Sequence, residues 1–226
     1  IKENLDASLV WRYSCRMGIC GSCGMLLNGK PTLACNTQIL AIAETDLTVG
    51  PLPNFQILRD LAPDLRSMFD KHRALRPFVV RPDQSEIDDP QGEFYQTPEQ
   101  LEEYLQFSYC IKCGCCMAAC PTLATDSAYL GPMPLAAAQR YNRDTRDGGR
   151  QDRNEEAGSS HGAFRCHYAG ECSRACPKGV DPAKAIQHLK RGLVLDYLRL
   201  ARKQKPCDKL HGPGDGKPLA NVPAAP

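Results

Sequence analysis

The arrangement of cysteines constrains this 226-residue chain more than any other feature, because nearly all thirteen fall into three short groups. The groups span residues 15–35, 110–120 and 166–176, and Cys207 stands apart as an incidental thiol. A disulfide-stabilised secreted domain is usually shorter and spreads its cysteines along the chain. Gaps of two and three residues instead suit thiolates that converge on a metal centre. Such thiols need a reducing compartment during assembly, so we expect the protein on the cytosolic side.

The first group has the spacing C-x4-C-x2-C and a fourth cysteine after eleven intervening residues. This spacing is typical of plant-type [2Fe–2S] ligation. Three glycines in the loop let the backbone curl round a cluster and direct N–H groups at the sulfurs. A four-cysteine zinc site is the alternative, but it usually has two C-x2-C pairs, and this segment has one. The predicted [2Fe–2S] ligands are Cys15, Cys20, Cys23 and Cys35.

The second and third groups form an internal repeat with steps of three, three and four positions, followed by a proline. The repeated positions are Cys110, Cys113, Cys116, Cys120 and Pro121, and then Cys166, Ala169, Cys172, Cys176 and Pro177. In paired runs of this kind, the last cysteine of each run ligates the cluster of the other, because a short loop wraps one face of a cubane. The predicted [4Fe–4S] ligands are therefore Cys110, Cys113, Cys116 and Cys176.

Three cysteines remain for the second cluster of the repeat, namely Cys120, Cys166 and Cys172. Ala169 occupies the fourth ligand position, and three ligands fit a [3Fe–4S] cluster. The alternative is a [4Fe–4S] cluster with an open iron or a non-cysteine ligand; His167 would strain the loop in that role. Two zinc sites would require the repeat and both prolines to be coincidental. Cys115 has no ligand role in this scheme, and we expect it to be a small buried residue.

Composition shifts divide the chain into two domains. We predict a [2Fe–2S] ferredoxin-type domain with a connecting helix over residues 1–80 and a helical domain over 97–202. The acidic, proline-marked segment 81–96 is predicted to be a linker. The polar, Gly- and Pro-rich segment 203–226 is predicted to be a disordered tail.

Shorter signals predict individual elements of the first domain. Asn28-Gly29 indicates the turn of a β-hairpin. Apolar residues at helical spacing predict a helix over 55–76, which Pro63 kinks or splits.

Comparable signals mark the helical domain. Thr97, followed by Pro98 and Gln100, indicates a helix start with a capping box. The segment GPMPLAAAQRYN is predicted to be helical, and Asp181 is the predicted cap of the last helix. The charge-rich segment 143–162 is predicted to be a solvated loop.

Four segments together carry a family resemblance: SCRMGICGSCGMLLNGKPTLAC, CIKCGCCMAACP, GPMPLAAAQRYNRDTRD and FRCHYAGECSRACPKGVDPAKAI. They cover most of residues 1–195, and they resemble the iron–sulfur subunits of succinate dehydrogenase and fumarate reductase. The resemblance implies an α+β fold, with an N-terminal β-grasp domain of plant-type ferredoxin and an α-helical domain of bacterial-ferredoxin type. It also implies [2Fe–2S], [4Fe–4S] and [3Fe–4S] clusters. Family members begin with further β-grasp strands, so we expect this sequence to be N-terminally truncated.

The resemblance also bears on a quinone site. Quinone-reducing succinate dehydrogenases have a tryptophan shortly after the first Cys-Pro, whereas this chain reads CPTLATDSAYLGP there. The segment resembles the fumarate reductase branch and favours menaquinone over ubiquinone. Pro121, Thr122 and His167 match family positions near the quinone. His167 could donate to a quinone carbonyl, and a structural hydrogen bond is an equal alternative.

The chain is therefore expected to conduct electrons rather than to hold a substrate site. A net charge of +2 gives no electrostatic case for nucleic acid, and no apolar run is long enough to span a bilayer. The sequence has no phosphate-binding loop, so a flavin or nicotinamide must lie elsewhere. The resemblance implies that a partner flavoprotein subunit with FAD oxidises succinate. We expect a membrane anchor with quinone as the other partner, a peripheral location on the cytosolic face of the inner (cytoplasmic) membrane, and no catalytic residue here. The alternatives are the same cluster wire in another complex, such as a thiol-driven fumarate reductase, and a zinc-binding module.

Overall fold

The first part of the chain forms a small antiparallel sheet. The computed structural model describes residues 1–42, 44–81, 85–89, 92–200 and 209–211. Strands β1 (Gly24–Leu27), β2 (Lys30–Leu33) and β3 (Val49–Gly50) are ordered β2-β1-β3, with Gly24 opposite Leu33 and Leu26 opposite Gly50. The predicted hairpin is confirmed: Asn28 and Gly29 have φ values of 47° and 75°, as a type I′ turn requires.

The predicted helix over 55–76 is wrong in its first half. Strands β4 (Ile57–Arg59) and β5 (Ala62–Pro63) form a two-stranded ribbon there, and helix α1 begins at Arg66 and ends at Ala74. The ribbon turns at Asp60, whose φ is 46°, and Pro63 has no N–H to continue a helix. The helical spacing was misleading because Ile57 and Leu58 are exposed rather than packed in the core.

The described parts of the predicted linker contain regular structure. Helix α2 spans Ser85–Asp88, and strand β6 spans Gly92–Phe94. Strand β7 (Lys209–His211) pairs antiparallel with β6, so this part of the predicted disordered tail is a strand. Cys207 and the remainder of 203–226 lie outside the described residues.

The second part of the chain is helical. Its helices are α3 (Pro98–Ser108), α4 (Cys115–Ala118), α5 (Pro121–Thr125), α6 (Pro132–Asn142), α7 (Arg150–Ala157), α8 (Glu171–Arg174) and α9 (Pro182–Tyr197). Both predicted helix starts are confirmed. Thr97 and Gln100 form a reciprocal capping box, and the Asp181 carboxylate accepts the Lys184 N–H. Among the described residues, no helix combines the length and hydropathy needed to cross a bilayer.

Helix α6 is the centre of the core and packs against α1, α3, α7 and α9. Buried apolar side chains from these helices form one cluster that includes Met68, Leu75, Met133, Leu135, Ile186 and Leu189. Cysteines of the second and third groups, among them Cys116, Cys120 and Cys172, are part of the same cluster. The core therefore fixes the segments that carry these thiols.

The predicted solvated loop over 143–162 is wrong. It contains helix α7, and Asp144 and Arg153 are fully buried. Arg153 forms a two-pronged ion pair with Asp147, with both N···O distances at 2.9 Å. Charge-rich composition did not reveal this burial because the charges neutralise each other inside the core.

Candidate iron–sulfur centres

The loop that carries the first cysteine group surrounds its sulfur atoms with backbone N–H groups. Gly18 N–H donates to Cys35 Sγ at 3.3 Å, and Cys35 N–H donates to Cys23 Sγ at 3.5 Å. Cys15 Sγ accepts three further bonds, at 3.4, 3.4 and 3.3 Å, from Met17, Ile19 and Cys20. Donors aimed at sulfur stabilise thiolate ligands and the negative charge of a reduced cluster. The four predicted ligands are thus linked by one hydrogen-bonded loop.

Local interactions favour the thiolate at one of these positions. Hydrogen bonds from the Ser22 hydroxyl, and then from backbone N–H groups, lower the pKa of Cys20 to about 6. Burial raises the pKa of Cys23, which faces the protein interior. Two cysteines of the loop therefore differ in exposure to solvent, since Cys20 is exposed and Cys23 is buried.

The second and third cysteine groups meet round one cavity. Its lining includes the apolar residues Ile111, Met133 and Val180. The cysteines that line it are Cys110, Cys113, Cys116 and Cys176. Three of them come from the first run and one from the end of the second, which is the exchange that the repeat predicts. Sulfur is the donor type that iron–sulfur clusters use, so this set fits such a group.

The thiols of this cavity sit in contrasting environments. Burial raises the pKa of Cys110 and raises that of Cys116 well above the ordinary value. A hydrogen bond from the Cys115 thiol lowers the pKa of Cys113 to about 7. Buried thiolates need a neighbouring cation, and iron would provide that positive charge.

A second cavity contains the remaining predicted ligands, and Ala169 lines it beside them. The cysteines in its lining are Cys120, Cys166 and Cys172. Desolvation raises the pKa of Cys172 to about 11. Pro121, Thr122 and His167 line the same cavity, with Thr122 buried and the other two exposed. Among the described residues, no group of three or more His, Cys, Asp or Glu side chains lies close enough to hold a single metal ion.

The first loop packs directly on the second cysteine group. A Cβ atom built on Gly21 would lie 3.0 Å from Cys113 Cα, and one built on Gly24 would lie 2.9 Å from Cys113 O. Cys115 is fully buried in this contact, as predicted, in a cluster with Cys23, Leu33 and Cys113. The loop of the first centre and the lining of the first cavity are therefore in van der Waals contact.

Two residues of this arrangement were missed by sequence reasoning. The Asn54 side-chain amide donates to Met117 O, Ala118 O and Cys120 O at 2.9, 3.1 and 3.0 Å, and so caps the end of α4 from the other domain. Asn54 has a φ of 64°, and the Pro-Asn pair at 53–54 signals such a turn but not its distant partner. Tyr129 lines the second cavity, and no local pattern marks it.

Sulfur donors in a loop on a β-sheet, and round two cavities of a helical domain, define a ferredoxin-type iron–sulfur protein. Residues 1–70 match the 2Fe-2S iron-sulfur cluster binding domain, and residues 106–180 match the 4Fe-4S dicluster domain. The chain is 47% identical to the fumarate reductase iron-sulfur subunit of Mycobacterium tuberculosis over 84% of this chain and 76% of that protein. It therefore belongs to the family of fumarate reductase and succinate dehydrogenase iron–sulfur subunits.

Two further likenesses agree with this assignment. The Haemophilus influenzae fumarate reductase iron-sulfur subunit is 42% identical over 91% of this chain and 83% of its own length. A chain of the Mycobacterium smegmatis Sdh1 complex in the apo form superposes with a TM-score of 0.76 at 26% identity, covering 87% of this chain and 81% of that chain. The predicted fold class and the electron-transfer role are confirmed, and the chain is a component of an oxidoreductase complex with other subunits.

Proposed function

We propose that this chain carries electrons one at a time between a FAD-containing flavoprotein subunit and a quinone held by a membrane anchor. The observation that carries the proposal is the cavity lined by Cys110, Cys113, Cys116 and Cys176, because it combines cysteines from both runs of the repeat. When bound, [2Fe–2S], [4Fe–4S] and [3Fe–4S] clusters supply one-electron steps at successive positions along the chain.

The residues of the chain have distinct tasks in this scheme. The N–H groups of the first loop stabilise a [2Fe–2S] cluster on Cys15, Cys20, Cys23 and Cys35. The apolar lining of the first cavity keeps water from a [4Fe–4S] cluster on Cys110, Cys113, Cys116 and Cys176. Ala169 leaves one ligand position without sulfur, so Cys120, Cys166 and Cys172 hold a [3Fe–4S] cluster.

The surroundings of the second cavity suit a quinone. Pro121 and His167 are exposed at this cavity, and Thr122 lies buried beside them. His167 would donate to a carbonyl of menaquinone where the anchor subunit covers this surface. The chain would then lie on the cytosolic face of the inner (cytoplasmic) membrane, as a peripheral subunit.

Metal analysis and electron paramagnetic resonance (EPR) test the proposal on cluster-loaded, anaerobically purified protein. We expect about nine iron and ten acid-labile sulfide per chain, the sum for the three cluster types. The oxidised protein should show a three-iron EPR signal, and dithionite reduction should reveal the [2Fe–2S] signal. Stoichiometric zinc without sulfide would contradict the proposal.

The vacant ligand position gives a sharper test. Ala169→Cys supplies a fourth thiolate to the second cavity, so the variant should hold a fourth iron and lose the three-iron EPR signal. Ala175→Cys is a matched control in the same run, because Ala175 is not part of this cavity lining. An unchanged three-iron signal in Ala169→Cys would show that the vacancy lies elsewhere.

A further inference from the structure

A cleft in the helical domain lies apart from the cysteine groups. It has a volume of about 550 Å³ and is lined by residues of helices α6, α7 and α9. Among the described residues that line it, there is no cysteine, aspartate or glutamate. Its lining includes three arginines, a histidine and a glutamine, which are Arg143, Arg150, Arg191, His188 and Gln139. The cleft therefore differs in chemistry from the two cavities that are lined with cysteine.

The cleft and the second cavity also lie on different sides of α9. His188, Arg191 and Leu195 line the cleft, and their spacing places them on one face of the helix. Ala183 and Ile186 line the second cavity. With 3.6 residues per turn, these two sets of side chains leave α9 on opposite sides of its axis. The cleft is therefore separate from the predicted cluster and quinone sites.

The three arginines give the cleft an excess of positive charge. Arg143 pairs with Glu103 at 3.3 Å, and Arg150 pairs with Asp196 of α9 at 3.0 Å. Both carboxylates lie outside the lining and hold their arginines at the cleft. The described residues give Arg191 no ion pair, so its charge is not balanced by a contact of this kind. Three cations thus stand against two carboxylates, and the surplus cation lies on α9.

The surroundings of His188 show the same imbalance. Burial lowers the pKa of His188, and nearby cations lower it further, namely Arg143, Lys184 and Arg191. The charge of Asp181 acts in the opposite direction. Positive groups therefore dominate the electrostatic field at this imidazole, and an anion in the cleft would relieve their mutual repulsion.

Gln139 supplies a neutral donor in the wall of the cleft. The residue is only 4% exposed, and among the described residues its side-chain amide makes no hydrogen bond. Buried polar side chains usually have a partner, and leaving one without a partner costs free energy. Gln139 lines this cleft and an adjoining one. Its NH2 group is therefore available to donate to an acceptor bound there.

We propose that this cleft binds the phosphate group of a small anion, with Arg143, Arg150 and Arg191 as its cations and Gln139 as a neutral donor. The guanidinium fork matches phosphate oxygens with parallel N–H donors. Cations from the ends or faces of three helices approach a bound ion from several directions, which suits a tetrahedral phosphate better than a planar carboxylate. No cluster ligand takes part, so this inference stands or falls independently of the proposed function.

Calorimetric titration of the cluster-loaded full chain with inorganic phosphate tests the proposal. The wild-type protein should bind phosphate saturably. Arg191→Gln removes a cation that has no carboxylate partner, so it should weaken binding about tenfold and leave thermal stability unchanged. Gln139→Leu should also weaken binding without lowering stability, because it removes an amide that has no partner in the fold. A purely structural role of Gln139 would instead lower stability.

Arg73→Gln is the matched control, because it removes one positive charge outside the cleft. Arg73 lies on α1 and pairs with Asp70 at the surface. This variant should bind phosphate as the wild type does. No saturable phosphate binding by wild type, or equal weakening in Arg73→Gln and Arg191→Gln, would overturn the proposal. Succinate that bound as tightly as phosphate, with the same response to Arg191→Gln, would overturn the assignment of phosphate as the ligand.

Vesicle binding distinguishes a soluble phosphate compound from a lipid headgroup. Saturable phosphate binding without vesicle binding would identify a soluble compound as the source. Binding to phosphatidylglycerol vesicles but not to phosphatidylcholine vesicles, weakened by Arg191→Gln and not by Arg73→Gln, would identify the phosphodiester of an anionic lipid. Both results support the site, whereas vesicle binding that the two variants weaken equally would count against it.

Discussion

At the scale of single residues, the buried pair of Arg153 and Asp147 shows how charge can belong to the core. Both side chains are almost wholly excluded from solvent, at 0% and 1% exposure. Other Arg153 N–H groups donate to Leu75 O and Phe78 O at 3.1 and 3.3 Å, so the guanidinium also holds the segment after α1. Asp147 in turn accepts the Val80 N–H at 2.9 Å. These bonds join the connecting segment to the helical core.

We predict that Asp147→Asn strongly destabilises the fold. The substitution leaves the Arg153 charge buried without a counter-charge, a change that costs about 3–5 kcal/mol of the free energy of unfolding. Denaturant unfolding followed by far-UV circular dichroism should show a clearly lower midpoint. Asp152→Asn is the control, because the ion pair of Asp152 with Arg76 is about half exposed and its loss should cost at most about 1 kcal/mol. Equal midpoints for the two variants would refute the assigned role of the buried pair.

At the scale of elements, the sequence predicted those structures whose signals are local. Asn28-Gly29 and the capping box at Thr97 each act within four residues, and both form as expected. The ribbon at Ile57–Arg59 was missed because its exposed apolar residues have helical spacing by coincidence. Burial of the charged segment at 144–153 was missed because the pairing of Asp147 and Arg153 depends on tertiary structure. Turns and helix caps, which depend on neighbouring residues, could therefore be predicted from the sequence, whereas contacts between residues that pair only in the folded structure could not.

The contact between β1 and the second cysteine group gives a prediction at this scale. Gly24→Ala would bring a methyl group to within 2.9 Å of Cys113 O and 3.3 Å of Leu52 Cδ1. The backbone must then shift, at a cost of about 1–3 kcal/mol. We expect slower electron transfer between the [2Fe–2S] and [4Fe–4S] clusters in pulse-reduction experiments, at unchanged iron content, because the separation of the two centres increases.

Gly50→Ala is the control for Gly24→Ala. Gly50 lies in the same sheet, and a Cβ atom there would meet Leu26 Cβ at an ordinary distance of 3.7 Å. Its transfer rate should match that of wild type. If Gly24→Ala also transferred electrons at the wild-type rate, close packing at Gly24 would not set the distance between the centres.

At the scale of the whole molecule, the spacing of the cysteines predicts which thiols share a cluster, and this assignment of ligands stays a prediction. The repeat predicted that Cys176 joins Cys110, Cys113 and Cys116, and these four line one cavity. The packing of the two domains against each other could not be predicted from the sequence. The Asn54 side chain contacts residues more than fifty positions away, and no sequence motif marks the surface on which Cys115 packs. The molecule is therefore held together at the place where electrons would pass from one domain to the other.

The crossed origin of the cavity cysteines also imposes an order on biosynthesis. When residue 120 has just emerged from the ribosome, the nascent chain contains three of the four cysteines that line the first cavity. It contains one of the three cysteines that line the second cavity. Neither set is complete until Cys172 and Cys176 have left the exit tunnel. The set at residues 15–35 is complete much earlier, so an N-terminal cluster could assemble on the nascent chain before Cys172 and Cys176 are available to the helical domain.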